Sequence, residues 1–383
     1  MPAPPAPLPA GTTCWLEIDQ DAITDNVRRL RRRLTPQTRL LAVIKADAYG
    51  HGAPATARSV LAGGAQMLGV ASLAEALELR AAGIRAPVLL LAWVPPEAVP
   101  EAIAQDLTLT LFDTALARAC DRAARQTGQA LKAHIKLDSG LGRMGTPVAG
   151  ALAFVRSLAS LPALQLEGCY THFALADEDP LWTQDQLQRF LRTMADLRRR
   201  GTRFPLLHAA NSAATLSLPT SHLDMVRPGI ALYGLSPSER VRVPDEFRPA
   251  LSWKTLVAQL KFLPAGHSAG YGRTWVADSP RRVAVLPVGY AQGFRRSPHA
   301  GGTVLLRGQV APVIGRISME KTTIDVTHIP EAAVGDEVVL LGQQGSARIS
   351  AEMLAGRFGT SNYEVISALS ARLPRLQSSS RPT

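Results

Sequence analysis

The run Leu40-Leu-Ala-Val-Ile-Lys-Ala-Asp-Ala-Tyr-Gly-His-Gly52 carries five apolar residues straight into Lys45 and then breaks into glycines. A free lysine has a pKa of about 10.4, so roughly one in 2,500 is neutral and nucleophilic at pH 7. Desolvation at an apolar strand end would raise that fraction and suit Lys45 to Schiff-base chemistry. A lysine alone in that position more often snorkels to solvent, so its neighbours must decide. Other chemistry-bearing groups also end apolar runs: Lys136 and Asp138, Tyr170 to His172, His208 to Ser212, and Arg227 to Gly229. Strand alternation puts His134 and Lys136 on one face.

The elements that must position these groups are eight short apolar runs: Leu40–Lys45, Met67–Ala71, Pro87–Ala92, Leu107–Phe112, Ala133–Asp138, Leu166–His172, Leu206–Asn211 and Met225–Tyr233. Between them lie segments of helical periodicity, such as Ser72–Ala82, Asp113–Gln126, Pro147–Leu158 and Thr183–Arg200. Strands without a polar face that alternate with helices predict an α/β fold, an (α/β)8 TIM-type barrel. In such a barrel the residues at the C-terminal strand ends share one catalytic face.

After Pro244 the pattern changes to β-alternation with turns. It predicts strands over Leu256–Phe262, Arg282–Pro287, Thr303–Leu306, Thr322–Val326 and Glu337–Leu341, and helices over Ser350–Arg357 and Asn362–Ala371. The expected organisation is a flexible tail (1–13), the barrel (14–244), a C-terminal mostly-β domain (245–376) and a second tail (377–383).

Composition excludes several classes. Of 383 residues, 46% are hydrophobic and 19% charged, an ordinary globular balance. The formal charge of +11 comes partly from runs such as Arg31-Arg32-Arg33 and Arg198-Arg199-Arg200 within amphipathic helical segments. These read as solvated helix faces, and with only 5% aromatic residues a nucleic-acid partner is not expected. Cys14, Cys120 and Cys169 are far apart and lack metal or disulfide spacing, so no metal is expected. Met1 to Thr13 lacks a basic start and an apolar core, and no stretch is long and apolar enough to span a bilayer. A cytoplasmic protein without a membrane partner is expected.

The run Ala42 to Gly52 resembles the pyridoxal-phosphate attachment motif of the alanine racemases. The likeness extends from Trp15-Leu-Glu-Ile-Asp19 and Asn26 to Tyr363-Glu364 and Arg372-Leu-Pro-Arg375. It implies a PLP-dependent (fold-type III) enzyme that interconverts L- and D-alanine by a two-base mechanism and supplies D-alanine for peptidoglycan. It also implies a homodimer with shared active sites. By the resemblance, Lys45 binds pyridoxal 5'-phosphate and is one base. The other is Tyr271, within Ala269-Gly-Tyr-Gly-Arg-Thr274, supplied by the second subunit.

The segment His134-Ile-Lys-Leu-Asp-Ser-Gly-Leu-Gly-Arg-Met-Gly145 is a second match. It implies that Arg143 contacts cofactor and substrate carboxylate and that Lys136 matches the carbamylated lysine of many relatives. Tyr170-Thr-His-Phe-Ala174 and Met225-Val-Arg-Pro-Gly-Ile-Ala-Leu-Tyr-Gly234 resemble the segments around the pyridine ring. Arg227 would face the ring nitrogen, His172 would link Arg227 to Tyr271, and Asn211 would support Arg227. Ser212, the amides of Gly229 and Ile230, and the hydroxyls of Tyr49 and Tyr363 would hold the phosphate. Taken alone, Ser212 reads equally as a helix N-cap. Met319 would present its amide to the substrate carboxylate, and Tyr290 and Tyr363 would narrow an entrance with Arg296, Arg316 and Asp177 further out.

Three positions depart from the family pattern: Gln292 and Phe294, where Asp and Tyr are usual, and Glu320, where Asp is usual. By the resemblance they lie near the entrance and the dimer seam and bear on substrate breadth and dimer strength; the alternative is a broader-specificity racemase or one acting on serine or a basic amino acid. Decarboxylating relatives of the barrel place a carboxylate where Arg227 stands and need a late cysteine, which is absent after Cys169. Lone-barrel cofactor-binding proteins lack residues 245–383, Tyr271 included.

Overall fold

The computed structural model describes residues 8–296 and 302–378. The outer parts of the two expected tails, 1–7 and 379–383, lie outside the described residues. The chain divides into two compact units. One takes Ala22–Ala48 and Gly52–Pro249; the other takes the chain before Ala22, Tyr49–His51 and the chain from Ala250 on.

The first unit is the expected barrel. Its strands are β1 (Arg39–Val43), β2 (Met67–Val70), β3 (Val88–Leu90), β4 (Leu107–Leu111), β5 (Leu131–Asp138), β6 (Leu164–Tyr170), β7 (Leu206–His208) and β8 (Met225–Val226). Each pairs in parallel with the next, as Leu41 with Met67 and Leu109 with Ala133 do, and Met225 opposite Arg39 closes the ring. β2, β3 and β4 are buried at every residue because helices cover the outside while side chains fill the inside. That is why those runs show no alternation in the sequence.

Local chemistry sets where the outer helices begin. Ser72 and Glu75 form a reciprocal capping box ahead of Leu73–Ala81, Asp113 caps Thr114–Thr127, and Asp179 caps Pro180–Arg199 with proline at its first position. Buried Asn26, on the helix Gln20–Arg32, donates to the carbonyls of Leu232 (3.1 Å) and Arg248 (2.8 Å) and accepts from the Arg248 amide (3.0 Å). This asparagine ties the start of the barrel unit to its end.

The second unit is mostly β. In spatial order its main sheet runs Gln259–Leu263, Arg281–Leu286, Thr322–Asp325, Gln309–Ile314, Thr303–Leu306, Glu337–Gln344, Leu251–Leu256, Cys14–Asp19 and Arg375–Ser378. Cys14–Asp19 pairs antiparallel with Leu251–Leu256 and parallel with Arg375–Ser378. The single strand expected over Leu256–Phe262 is two strands. The chain leaves the edge of Glu337–Gln344 after Leu256 and joins Arg281–Leu286 from Gln259, while the Val257 and Ala258 amides go to Asp336 and Val285. Two short helices, Ala351–Phe358 and Asn362–Ser367, follow. All three cysteines are free and buried, and among the described residues no helix is long and apolar enough to cross a membrane.

Candidate functional site

Lys45 stands just beyond β1 and is half-buried. Ala46, Asp47, Ala48 and Tyr49 have φ of 53°, 52°, 54° and 55°, a turn of left-handed helix made of non-glycine residues. Such a conformation costs about 1–2 kcal/mol per residue, so its surroundings must hold it. In the barrel unit Glu75 Oε1 accepts from the Ala46 amide at 2.7 Å while its Oε2 accepts from Ala71 at 2.6 Å. Asp47 Oδ1 accepts from the Ala53 amide at 2.8 Å. Burial, and then the charge of Arg143, lower the pKa of Lys45, with Glu75 opposing. The free-amine form is favoured at this position more than on an open surface.

Along β5 the inward positions are Lys132, His134 and Lys136. Lys136 is 6% exposed, with Nζ 5.6 Å from the centre of the Tyr170 ring. Burial, and then the charges of Arg143 and Arg227, bring its pKa down to about 8. At the strand end Asp138 gathers the loop that carries Arg143: its carboxylate accepts from the amides of Gly140 (2.9 Å), Leu141 (2.9 Å) and Arg143 (3.2 Å). Partial burial alone would raise the Asp138 pKa, but these amides outweigh it and hold the group below its ordinary value. The Arg143 side chain is exposed.

Arg227, after β8, is 4% exposed, and both of its terminal nitrogens are bonded. Its guanidinium donates to His208 Nδ1 (2.9 Å), to the carbonyls of Thr171 (2.7 Å) and Ala209 (3.1 Å), and more weakly to His172 Nδ1 (3.4 Å). Burial lowers its pKa to about 10, which leaves it cationic at neutrality. Its Cζ lies 5.0 Å from the centre of the Tyr170 ring, which stacks on His208. Burial, and then the charges of Arg227, Lys136, Arg143 and Lys45, keep His172 neutral far below its usual range.

Asn211 has a structural bond of its own. Its Oδ1 accepts from the Ala214 amide at 3.0 Å, so it caps the short helix Ser212–Ser217. With Asn211 as the cap, the Ser212 hydroxyl faces the chain that follows β8. Ser212 Oγ accepts from the amides of Gly229 (2.8 Å) and Ala231 (3.3 Å) and keeps its own proton to donate elsewhere. Ile230 opens a 3-10 turn, whose first amides have no acceptor within the turn. Asp177 is half-buried, and its carbonyl accepts from Ser238 Oγ.

In the β unit three loops meet. Tyr271 is 66% exposed and lies between Gly270 and Gly272, both with positive φ. A Cβ on Gly270 would come within 2.8 Å of the Arg316 amide nitrogen, and one on Gly315 within 2.2 Å of the Ala269 carbonyl oxygen. Glycine at these positions lets the Tyr271 turn pack back to back with the Gly315-Arg316 loop. The amides of Tyr290 and Ala291 donate to the carbonyls of Ser318 (3.2 Å) and Met319 (2.9 Å), which fixes Tyr290 beside Met319. Tyr290, Arg296, Arg316 and Met319 are all exposed. Tyr49 and Tyr363 also meet, with ring centres 6.2 Å apart, where the Arg375 guanidinium donates to the Gly50 carbonyl.

Two of the departures are structural. Phe294 is 2% exposed and packs edge-to-face on Trp253 and Phe358, so it is a core residue and lines no entrance. Gln292 Oε1 accepts from the Gly289 amide and closes the Tyr290 turn. Glu320 is exposed, 3.8 Å from Arg372.

Glu75 and His208 hold the site together, yet sequence reading assigned them no role. Glu75 had a signal in the Ser72-x-x-Glu75 capping spacing, but its second bond, to Ala46, joins residues that sequence does not connect. The barrel site thus combines an amine with a lowered pKa and four further groups around it, Lys136, Arg143, Arg227 and His172, all electrostatically coupled. It can condense with a carbonyl through Lys45 and bind an anion.

Comparison with known proteins matches this arrangement to one family. Residues 18–237 match the alanine racemase N-terminal domain and residues 250–377 the alanine racemase C-terminal domain. The chain is 46% identical over 352 residues to an alanine racemase of Syntrophobacter fumaroxidans, covering 92% of this chain and 94% of that one. It is 43% identical to an alanine racemase of Desulfovibrio desulfuricans over 94% and 97% of the two chains. Its structure superposes with a TM-score of 0.91 on the Bacillus anthracis alanine racemase crystallised with bound L-Ala-P, at 38% identity and covering 97% and 96% of the chains. The Streptomyces lavendulae alanine racemase gives the same TM-score at 37% identity, over 96% and 98%. The chain belongs to the alanine racemase family and is an amino-acid racemase by that membership.

Proposed function

We propose that this chain racemises alanine with pyridoxal 5'-phosphate, using Lys45 on one face of the substrate and Tyr271 of a second copy on the other. The observation that carries the reading is the placement of Lys45: a desolvated amine on a braced left-handed turn, coupled to Arg143 and Lys136. The donor set fits the cofactor. Lys45 supplies the amine for its aldehyde, Arg227 a buried cation for its ring nitrogen, and Ser212 with the amide of Ile230 the donors for its phosphate.

When bound, the cofactor withdraws electrons from the substrate's Cα and makes its proton labile. The side chains do the rest. Lys45 Nζ and Tyr271 Oη each hold or release a proton, since a single base cannot easily return it to the opposite face. Arg227 stays charged and has no proton to give at neutral pH, so the ring nitrogen is held by a fixed cation. His172, kept neutral, accepts from Arg227 at Nδ1 and carries its own proton on Nε2, from which it can orient Tyr271. Arg143 and the Met319 amide would receive the substrate carboxylate.

Lys136 supports a second element. Its neutral amine, roughly a tenth of the population at pH 7 for a pKa near 8, can attack carbon dioxide, forming an N–C bond and losing a proton to solvent. The resulting carbamate would place a carboxylate beside Arg143. The exposure of Tyr271, Tyr290 and Met319 supports a homodimer in which these residues complete the neighbour's site. D-Alanine made in the cytoplasm would serve peptidoglycan synthesis.

Racemisation of alanine, serine and lysine by the cofactor-loaded protein tests the reading. Alanine should turn over with the highest kcat/KM, Lys45→Ala should abolish turnover, and Tyr271→Phe should slow both directions with unequal isotope effects. A higher kcat/KM for serine, or full activity of Tyr271→Phe, would overturn it.

A further inference from the structure

A cavity of about 400 Å3 opens at the N-terminal end of the barrel, on the face opposite the lysine site. Residues around the strand starts line it, among them Arg39, Met67, Lys132 and Leu206. His134 reaches it from the barrel interior. This histidine is completely buried, and its Nε2 has no hydrogen-bond partner. An unsatisfied polar atom in a core is destabilising, so its presence needs a reason.

The tautomer of His134 follows from a chain of bonds. Arg227 can only donate, so His208 Nδ1, 2.9 Å away, must accept. His208 is therefore protonated on Nε2, which donates to His134 Nδ1 at 2.8 Å. His134 must then carry its own proton on Nε2, the atom without a partner. Burial and the charge of Arg227 keep both rings neutral. Gly168, opposite His134 on β6, makes room for the ring: a Cβ there would lie 2.7 Å from two of its atoms.

We propose that the barrel floor is a binding site for a small carboxylate, held by His134 Nε2–H and coupled through His208 to Arg227. An N–H donor at the inner end requires an acceptor on the ligand; the floor carries the cations of Arg39 and Lys132 and the carboxylates of Asp106 and Glu167, of which Glu167 accepts from Gln165 at 3.5 Å. Lys132 is paired with Asp106 at 2.5 Å, so Arg39 is the cation left to meet the carboxylate. The apolar wall, including Met67, Leu166 and Leu206, suits a short hydrocarbon body. The volume is far beyond that of one water, about 30 Å3, and within the range of small-molecule sites. The inference stands apart from the proposed racemisation, because none of these floor residues is assigned to that chemistry.

The test uses the full chain labelled with 15N-histidine and titrated with sodium propionate, with methylammonium as the cationic control. Two-bond nitrogen–proton spectra should show His134 and His208 both protonated on Nε2. Propionate should shift His134 saturably and His208 to a smaller extent, and methylammonium should shift neither. Leu166→Trp, which fills the cavity, should remove the propionate response without changing alanine turnover. Arg227→Met frees His208 to reverse, so His134 should lose part of its Nε2 proton and propionate binding should weaken by roughly tenfold, the worth of about one hydrogen bond. Protonation of His134 on Nδ1, equal responses to the two probes, or no saturable shift, as water alone would give, would each overturn the proposal. A floor response in a protein that does not racemise alanine would leave the floor site standing and remove only the catalytic reading.

Discussion

Glu75 grips Ala46: its Oε1 accepts the Ala46 amide at 2.7 Å, one residue beyond Lys45, while its other oxygen holds Ala71. A carboxylate at a helix start thereby braces a left-handed turn whose residues would otherwise return to ordinary φ. Glu75→Ala should remove three charge-assisted bonds, from the amides of Ala46, Ala71 and Ser72, and lower stability by about 2–4 kcal/mol, measured by urea unfolding. It should also lower alanine kcat by roughly tenfold or more, because Lys45 loses its fixed base. Unchanged kcat would show that the turn holds itself.

Lys136 links the site to pH. Its folded pKa near 8 lies below the unfolded value near 10.4, so the unfolded chain binds more protons in between and stability rises with pH across that window. In carbon-dioxide-free buffer, Lys136→Met should raise unfolding free energy at pH 7 by up to about 3 kcal/mol. The advantage should shrink between pH 8 and 10.5, where wild-type Lys136 loses its charge. A pH-independent difference between the two proteins would contradict the assignment.

Gly168 and His134 occupy the same space. Gly168→Ala places a methyl 2.7 Å from the imidazole, so the ring must shift and its bond to His208 must lengthen. Destabilisation of about 1–3 kcal/mol is expected by thermal or chemical unfolding.

Asn26 makes three hydrogen bonds that join the start of the barrel unit to Leu232 and Arg248. Asn26→Leu leaves two carbonyls and an amide without their partner, and a loss of about 2–4 kcal/mol should appear in urea unfolding. Because Asn26 touches no assigned catalytic group, alanine kcat of the folded variant should stay within about twofold.

Phe294→Tyr separates a core role from an entrance role. A hydroxyl placed between Trp253 and Phe358 without a partner should lower stability by about 1–3 kcal/mol. The ratio of kcat/KM for serine to that for alanine should not move.

The barrel was legible because its strands are short and buried on both faces, which writes eight apolar runs separated by helical periodicity. Lys45, Lys136 and Arg227 were legible as polar groups ending such runs. Phe294 and Asn211 were not. The aromatic neighbours of one and the helix-start amide accepted by the other give them structural tasks that no pattern of runs marks. The split of Leu256–Phe262 was hidden for a similar reason: an apolar run shows that a strand is buried, and not which neighbour it pairs with.

The amino-acid sequence by itself determined the alternation of strand and helix, the capping residues at helix starts, and the reactive side chains at strand ends, because these depend on neighbours within a few positions. Only the tertiary structure decided the rest. It paired Cys14–Asp19 with strands more than two hundred residues away, held Ala46 in the left-handed region through Glu75, and oriented the protons of His208 and His134 from Arg227. Each of these is a bond between groups distant in the chain, whose direction is set only when folding brings donor and acceptor together and excludes water.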